Sequence, residues 1–223
     1  MIKLRKNINL KKKYNYFFFD LDGVLIDSIQ NMEEAWNSTS KKFNLKLKFS
    51  EYRKYMGLPF FKILAKLKIE KSLYFKIQKN YELVSSQNIR GIKLYKNVRE
   101  ILKKIKKNPI NKIAIVTSKN FSKTKKIIKN KKLKFDLIST PQKNLKGKPH
   151  RDQILYSIKK MKISNKKKCL FIGDTENDYF ASFSSKVDFV LANYGYGPIK
   201  KIKYNKKINV YKINNLNEIK EFI

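Results

Sequence analysis

The chain has 223 residues, 42% of them hydrophobic, and a single cysteine. That is enough apolar material to bury a core, so a disordered chain, a disulfide-built mini-protein and a cysteine-rich zinc site are all excluded. The formal net charge of +36 would suit a nucleic-acid or anionic-membrane partner, yet of 53 basic residues only Arg5, Arg53, Arg90, Arg99 and Arg151 are arginine, and the lysines run along the whole chain. Nucleic-acid surfaces exploit the bidentate arginine fork and gather charge on one face. The pattern therefore reads as compositional bias toward Lys, Asn, Ile, Phe and Tyr, and no specific nucleic-acid partner is expected. Even as bias, the charge would draw anionic substrates inward.

Met1–Lys13 is basic and Tyr16–Ile26 is largely apolar, a superficial likeness to a secretion signal. Asp20 and Asp22 sit inside the apolar stretch, which a signal would not tolerate. No run reaches the roughly 18 apolar residues of a membrane span. The expectation is a cytoplasmic protein with no membrane partner. Tyr16–Phe19 reads as a short buried strand running into Asp20-Leu21-Asp22-Gly23-Val24-Leu25-Ile26-Asp27-Ser28. Two carboxylates at the end of an apolar strand are costly to bury unless paired or bound to metal. The two-residue period of a strand would point Asp20 and Asp22 the same way, and Gly23 lets the chain turn. Asp27 and Ser28 are also suited to capping a following helix.

From about Asp27 to Asn88 the pattern is helical. Met32, Ala35, Trp36, Phe43 and Leu45 mark a first amphipathic helix and its exit, Gly57-Leu58-Pro59 a turn, and Leu73, Phe75, Ile77, Tyr81 and Val84 a further helix. After this stretch, strands at Lys112–Val116, Phe135–Ser139, Lys168–Ile172 and Phe189–Leu191 alternate with helices at Val98–Lys107, Phe121–Lys131, Asp152–Met161 and Asn177–Ser184. Such alternation implies an α/β fold with a parallel sheet covered on both faces and its site at the carboxyl ends of the strands. The Rossmann-like core would take residues 1–26 and 92–223. Residues 27–91 would form a helical cap inserted after the first strand, with hinges near Gly23–Asp27 and Arg90–Gly91. Cys169 reads as a small core residue and His150, the single histidine, as an exposed loop residue.

Four segments in order resemble the motifs of the haloacid dehalogenase-like hydrolases, in particular the phosphoglycolate-phosphatase-like branch. Phe19–Ser28 is similar to the first. Ile113–Lys119, a strand ending in Thr117-Ser118, looks like the second, and Gly147-Lys148-Pro149 like the third. Phe171–Asp178, carrying Gly173-Asp174 and Asp178, looks like the fourth, and Asn193–Gly197 resembles the Gly-Tyr-Gly loop beyond it. The third motif departs from the usual Lys-Pro-x-Pro, reading Lys148-Pro149-His150-Arg151. Tyr95-Lys96-Asn97-Val98 stands where relatives often carry Tyr-Pro-Gly-Val.

The resemblance implies a Mg²⁺-dependent phosphatase of a small phosphorylated metabolite. Asp20 would be the nucleophile, and Asp22 the acid that protonates the leaving oxygen and the base that activates water. Thr117, Ser118 and Lys148 would bind the phosphoryl group. Asp20, the backbone carbonyl of Asp22, and Asp174 would hold Mg²⁺. Asp178 would orient a metal-bound water or Lys148. Without the motif order, Thr117 and Ser118 could equally cap the next helix, and Lys148 could be one solvated lysine among many. The cap, and the loop around Arg53–Phe61 in particular, would read the leaving group.

Two other readings remain. A sugar phosphomutase of the same superfamily would share the aspartyl-phosphate, but that branch carries a cap histidine that this chain lacks. A non-catalytic nucleic-acid-binding protein would have no need of the full carboxylate set.

Overall fold

We analysed a computed structural model that describes residues 13–197 and 207–223. Residues 1–12, most of the basic stretch weighed above as a leader, lie outside it.

β1 (Tyr16–Phe19) stands inside a six-stranded sheet. Its two-residue period sends Phe17 and Phe19 into one apolar cluster and Phe18 into another on the opposite face. The chain leaves β1 through a tight turn and forms β2 (Ile26–Asp27). It then enters four helices: α1 (Ile29–Lys42), α2 (Phe49–Arg53), α3 (Phe60–Lys66) and α4 (Tyr74–Gln87). It returns through β3 (Lys93–Leu94), which pairs antiparallel with β2, so the exit and the return of the helical segment are stitched together. Strict alternation follows: α5 (Val98–Lys106), β4 (Lys112–Val116), α6 (Phe121–Asn130), β5 (Leu137–Ser139), α7 (Asp152–Lys160), β6 (Cys169–Gly173), α8 (Glu176–Ser185), β7 (Asp188–Ala192) and β8 (Val210–Ile213).

The sheet order is β5-β4-β1-β6-β7-β8, with every pair parallel. The chain builds outward from β1 through β4 to β5, then crosses back to β6 on the other side. The strand order thus reverses beside β1, which opens a crevice at its carboxyl end. One face is covered by α5, α6 and the C-terminal turn at Leu216–Phe222; the other is covered by α7 and α8. Full burial of each phenylalanine of β1 contributes on the order of 2–3 kcal/mol, which fixes the strand's register and the position of whatever follows it. The helical segment has an apolar cluster of its own, centred on Trp36, Leu64, Ile77 and Tyr81.

The α/β architecture matches the sequence reading, with local differences. The third long strand begins at Leu137 rather than Phe135, because the Asp136 carboxylate accepts from the Ile113 amide at 2.7 Å and ion-pairs with Lys106 at 2.9 Å. β8 was not expected: Val-Tyr-Lys-Ile is a short edge strand in a lysine-rich stretch, and only pairing with β7 gives it strand form. Phe75, expected on the apolar face of α4, is exposed. Among the described residues, no helix is long and apolar enough to cross a membrane.

Candidate active site

The carboxyl ends of β1, β4 and β6 and the loop after β5 bring the predicted residues together. Asp20 follows β1 directly and is buried; its amide donates to the Ile172 carbonyl, continuing the strand ladder. Asp174 follows β6 and is fully buried. Asp178 lies in the first turn of α8 and is also fully buried. Carboxylate oxygens of these three all lie within 4.8 Å of one another. Lys148 comes from the loop after β5. Its ammonium stands 2.8 Å from Asp20 Oδ1 and 2.5 Å from Asp178 Oδ1, with no exposed surface. The departure at His150-Arg151 does not displace it, and His150 itself is exposed.

Three buried acids against one ammonium leave an excess of negative charge. Burial, then the neighbouring Asp178 and Asp22, push the Asp20 carboxyl up to about 7 against the pull of Lys148. Burial, Asp178 and Asp20 likewise raise Asp174 well above the usual carboxylate range, against the Tyr196 amide and Lys148. For Lys148, burial alone would favour the neutral amine, but Asp178 and Asp20 outweigh it and hold the lysine protonated. The Oδ1 atom of Asp174 is buried with no partner among the described residues, while Oδ2 accepts from the Tyr196 amide at 2.7 Å. An unpartnered carboxylate oxygen in a cluster of hard, over-negative donors fits a small divalent cation.

The glycines around Asp174 are part of the fit. Gly23, at φ +81, lies against the Asp174 carboxylate so closely that a Cβ there would overlap Oδ2. Gly195 approaches from the loop after β7, and a Cβ there would meet Asp174 Oδ2 and the Gly23 carbonyl.

Asp22 belongs to a different arrangement. Its carboxylate is not one of the three that cluster. Oδ2 ion-pairs with Lys119 at 3.1 Å, and Oδ1 accepts from the Ser28 hydroxyl. Ser28 occupies the N-cap position of α1 but makes no cap bond with its side chain; it serves Asp22 instead. Nor do Thr117 and Ser118 cap α6. Asn120 does, accepting from the Lys123 amide at 2.8 Å. Thr117 Oγ1 accepts from the Lys119 amide, and the Ser118 hydroxyl donates to the Gly57 carbonyl of the helical segment at 2.7 Å.

Some members of the site were not legible in the sequence. Gln153, fully buried on α7, donates to the carbonyls of Thr117 (2.8 Å) and Ser139 (3.1 Å) and accepts from the Lys148 amide (3.2 Å). It ties the second and third motif segments into one rigid unit. The same group of Asp178 that faces Thr175 does similar work: Oδ2 accepts from the amides of Asp174 and Thr175 and from the Thr175 hydroxyl. Lys123 is a further such residue. Lys123, with Asp20, Asp22, Thr117, Lys148 and Asp174, lines a cavity of about 310 Å³ between the strand ends and the helices, lined on the helical side by Tyr52, the Met56–Phe61 turn, Gln78 and Tyr81. The Gly57–Phe61 part of the expected contact loop faces this cavity, whereas Arg53 is exposed and does not line it.

A model of the haloacid dehalogenase-like hydrolase family matches residues 17–192. The chain belongs to this family. A phosphoglycolate phosphatase from Colwellia psychrerythraea is 27% identical over 212 residues, covering 86% of this chain and 88% of its own. Solved hydrolase-family structures share the fold. A provisionally named phosphoglycolate phosphatase from Lactobacillus plantarum superposes with a TM-score of 0.80 at 20% identity, over 95% of this chain and all of its own. CbbY from Rhodobacter sphaeroides, solved in complex with phosphate, gives 0.78 at 13% identity, over 92% of this chain and 96% of its own.

Proposed function

We propose that this family member hydrolyses a small phosphomonoester through an aspartyl-phosphate on Asp20, with Mg²⁺ as its cofactor. Phosphatase activity follows from the family and from the relative it most usefully matches, and phosphoglycolate or a sugar phosphate is the substrate type. The observation that carries the finer reading is the buried trio Asp20, Asp174 and Asp178 with Lys148, at the point where the strand order reverses.

Asp20 attacks phosphorus while the bond from phosphorus to the leaving oxygen breaks. Lys148 occupies Oδ1, which leaves Oδ2 outside that pair. Asp22, on the cavity wall and steered by Ser28 and Lys119, protonates the leaving oxygen. In the second half-reaction Asp22 takes a proton from water, which attacks phosphorus and frees Asp20. Thr117, the Ser118 backbone and Lys148 hold the phosphoryl oxygens. Asp20, Asp174 and the Asp22 backbone carbonyl would hold Mg²⁺, which neutralises charge on the transferring group. Asp178 positions Lys148 by its ion pair. Residues 27–91 serve as the cap and residues 1–26 with 92–223 as the core. The Ser118–Gly57 and Asn120–Glu82 contacts hold the two against each other.

The test is a panel of phosphorylated metabolites and p-nitrophenyl phosphate, scored by released phosphate with and without Mg²⁺. Release from one or more esters that stops on chelation is expected. A sugar 1-phosphate that isomerises without phosphate release would replace this reading with the mutase.

A further inference from the structure

Lys123 is in the wrong place for an ordinary lysine. It sits in the first turn of α6, where the helix dipole disfavours a cation. Its side chain is 5% exposed, and its ammonium has no hydrogen-bond partner among the described residues. It lines the cavity that Asp20 also lines, and its nearest aromatic is Tyr81 of α4, whose ring centre lies 5.3 Å away. The charges around it come from several elements: Lys119 opposes it, while Asp22 and Glu82 favour it. Asp22 is already paired with Lys119, and Glu82 Oε1 already accepts from Asn120 at 2.6 Å and Gln78 at 2.9 Å. Burial, reinforced by Lys119, accordingly holds Lys123 well below the usual lysine range. Folding gains nothing from this arrangement. A solvated lysine or a leucine would cost less at that site.

Tyr81 supplies a second polar group. Its hydroxyl oxygen accepts from Tyr52 at 3.4 Å, and no acceptor for its own proton is present among the described residues. A lysine amine and a tyrosine hydroxyl, both short of an anionic partner, thus line the same cavity as the nucleophile.

We propose that Lys123, with Tyr81, binds a second anionic group on the leaving side of the substrate, so that the enzyme selects phosphomonoesters whose alcohol portion itself bears a carboxylate or phosphate. This rests on the phosphatase reading above and adds the charge of the leaving group to it. An anionic leaving group pairs with Lys123 and holds its proton, whereas a neutral one leaves the amine buried without a partner. Lys123 is then a specificity residue; it takes no part in proton transfer.

The experiment compares kcat/KM for phosphoglycolate, for a small-diol bisphosphate and for 2-hydroxyethyl phosphate, on wild type, Lys123→Met and Lys123→Arg. Circular dichroism and a melting curve accompany each variant. The wild type is expected to prefer at least one anionic ester over the neutral one, and the arm that wins identifies carboxylate or phosphate. Lys123→Met is expected to lower that ratio by about 10- to 100-fold, the size of one charge-assisted contact. Lys123→Arg is expected to keep more of it. An unchanged ratio in a folded Lys123→Met protein overturns the inference. If that variant does not fold, the wild-type ratio decides alone. A wild type that hydrolyses p-nitrophenyl phosphate but prefers the neutral ester overturns this inference and leaves the phosphatase reading standing. Phosphate release from no ester at all overturns both.

Discussion

The core and the cap fill their interiors in opposite ways. At the strand ends the core buries four charged groups: Lys148 ion-pairs with Asp20 and Asp178, and Asp174 joins those two carboxylates within 4.8 Å. The cap buries rings: Trp36 on Tyr52 at 4.6 Å, Tyr52 on Tyr81 at 5.8 Å and Phe60 on Tyr81 at 4.9 Å. Its polar interior groups mostly serve the cap itself, as when Asn31 donates to the Ser85 carbonyl. The charges of the core are held by a strand ladder and by capping bonds from backbone amides, so their geometry changes little. The rings of the cap are set by their mutual packing and by hydrogen bonds within the cap, such as Trp36 Nε1 to the Leu47 carbonyl, and can be recut without touching that ladder. On the proposed function, the chemistry falls to the first region, and selection falls to the cap rings together with Lys123, which α6 aims into the same cavity.

The strongest way to break this division is at Asp20. Asp20→Asn keeps the volume and removes the nucleophile. Turnover should fall by roughly three orders of magnitude or more, because a missing nucleophile is not replaced by binding. Circular dichroism should show the fold intact. Activity above about a hundredth of wild type would end the assignment.

Removing metal should come next. Chelation is expected to stop phosphate release and Mg²⁺ to restore it, while Asp174→Asn should raise the Mg²⁺ concentration needed by about 10- to 100-fold. Full-rate turnover in EDTA would refute the metal role. Ca²⁺ should not substitute, since its looser shell misplaces nucleophile and phosphate.

Smaller effects are expected in the cap. Phe60→Ala, in the turn lining the cavity, should change the kcat/KM ratios among metabolites by about 10-fold while p-nitrophenyl phosphate changes less. One common factor for every substrate would show that the cap is not the selector.

The charged cluster also predicts a pH signature. Because the folded Asp20 carboxyl titrates near 7 rather than its ordinary 3.8, its contribution to stability is full below about 3.8 and is lost as pH rises through about 7. Mg²⁺ competes with those protons. The melting temperature should therefore gain more from Mg²⁺ at pH 7.5 than at pH 5, by a few degrees. Equal gains at both pH values would mean that the ion binds elsewhere.

The smallest expected change is at the seam between the regions. Asn120→Ala removes the cap of α6 and the contact with Glu82 together and should lower stability by about 1 kcal/mol, read by urea unfolding. No loss would mean that neither the cap bond nor the contact with Glu82 forms in solution.

The sequence by itself determined the order of strands and helices and the residues that stand at the strand ends. Tyr16–Phe19 and Cys169–Gly173 are continuous apolar runs buried on both faces, so each strand ends visibly where the run meets a carboxylate. Asp20, Thr117 and Asp174 were legible for that reason. What the sequence did not determine is which charges meet. Asp20 and Asp22 share a local period, yet the turn at Gly23 takes Asp22 to Lys119 and Ser28, while Asp178 enters the cluster from a helix more than a hundred residues away. Gln153 reads as an ordinary helix residue until three loops converge on its amide. Lys123 is one lysine in a lysine-rich chain, and nothing in its neighbours marks it. Burial and partner choice depend on elements far apart in sequence, and only their packing left the Lys123 amine buried without a hydrogen-bond partner.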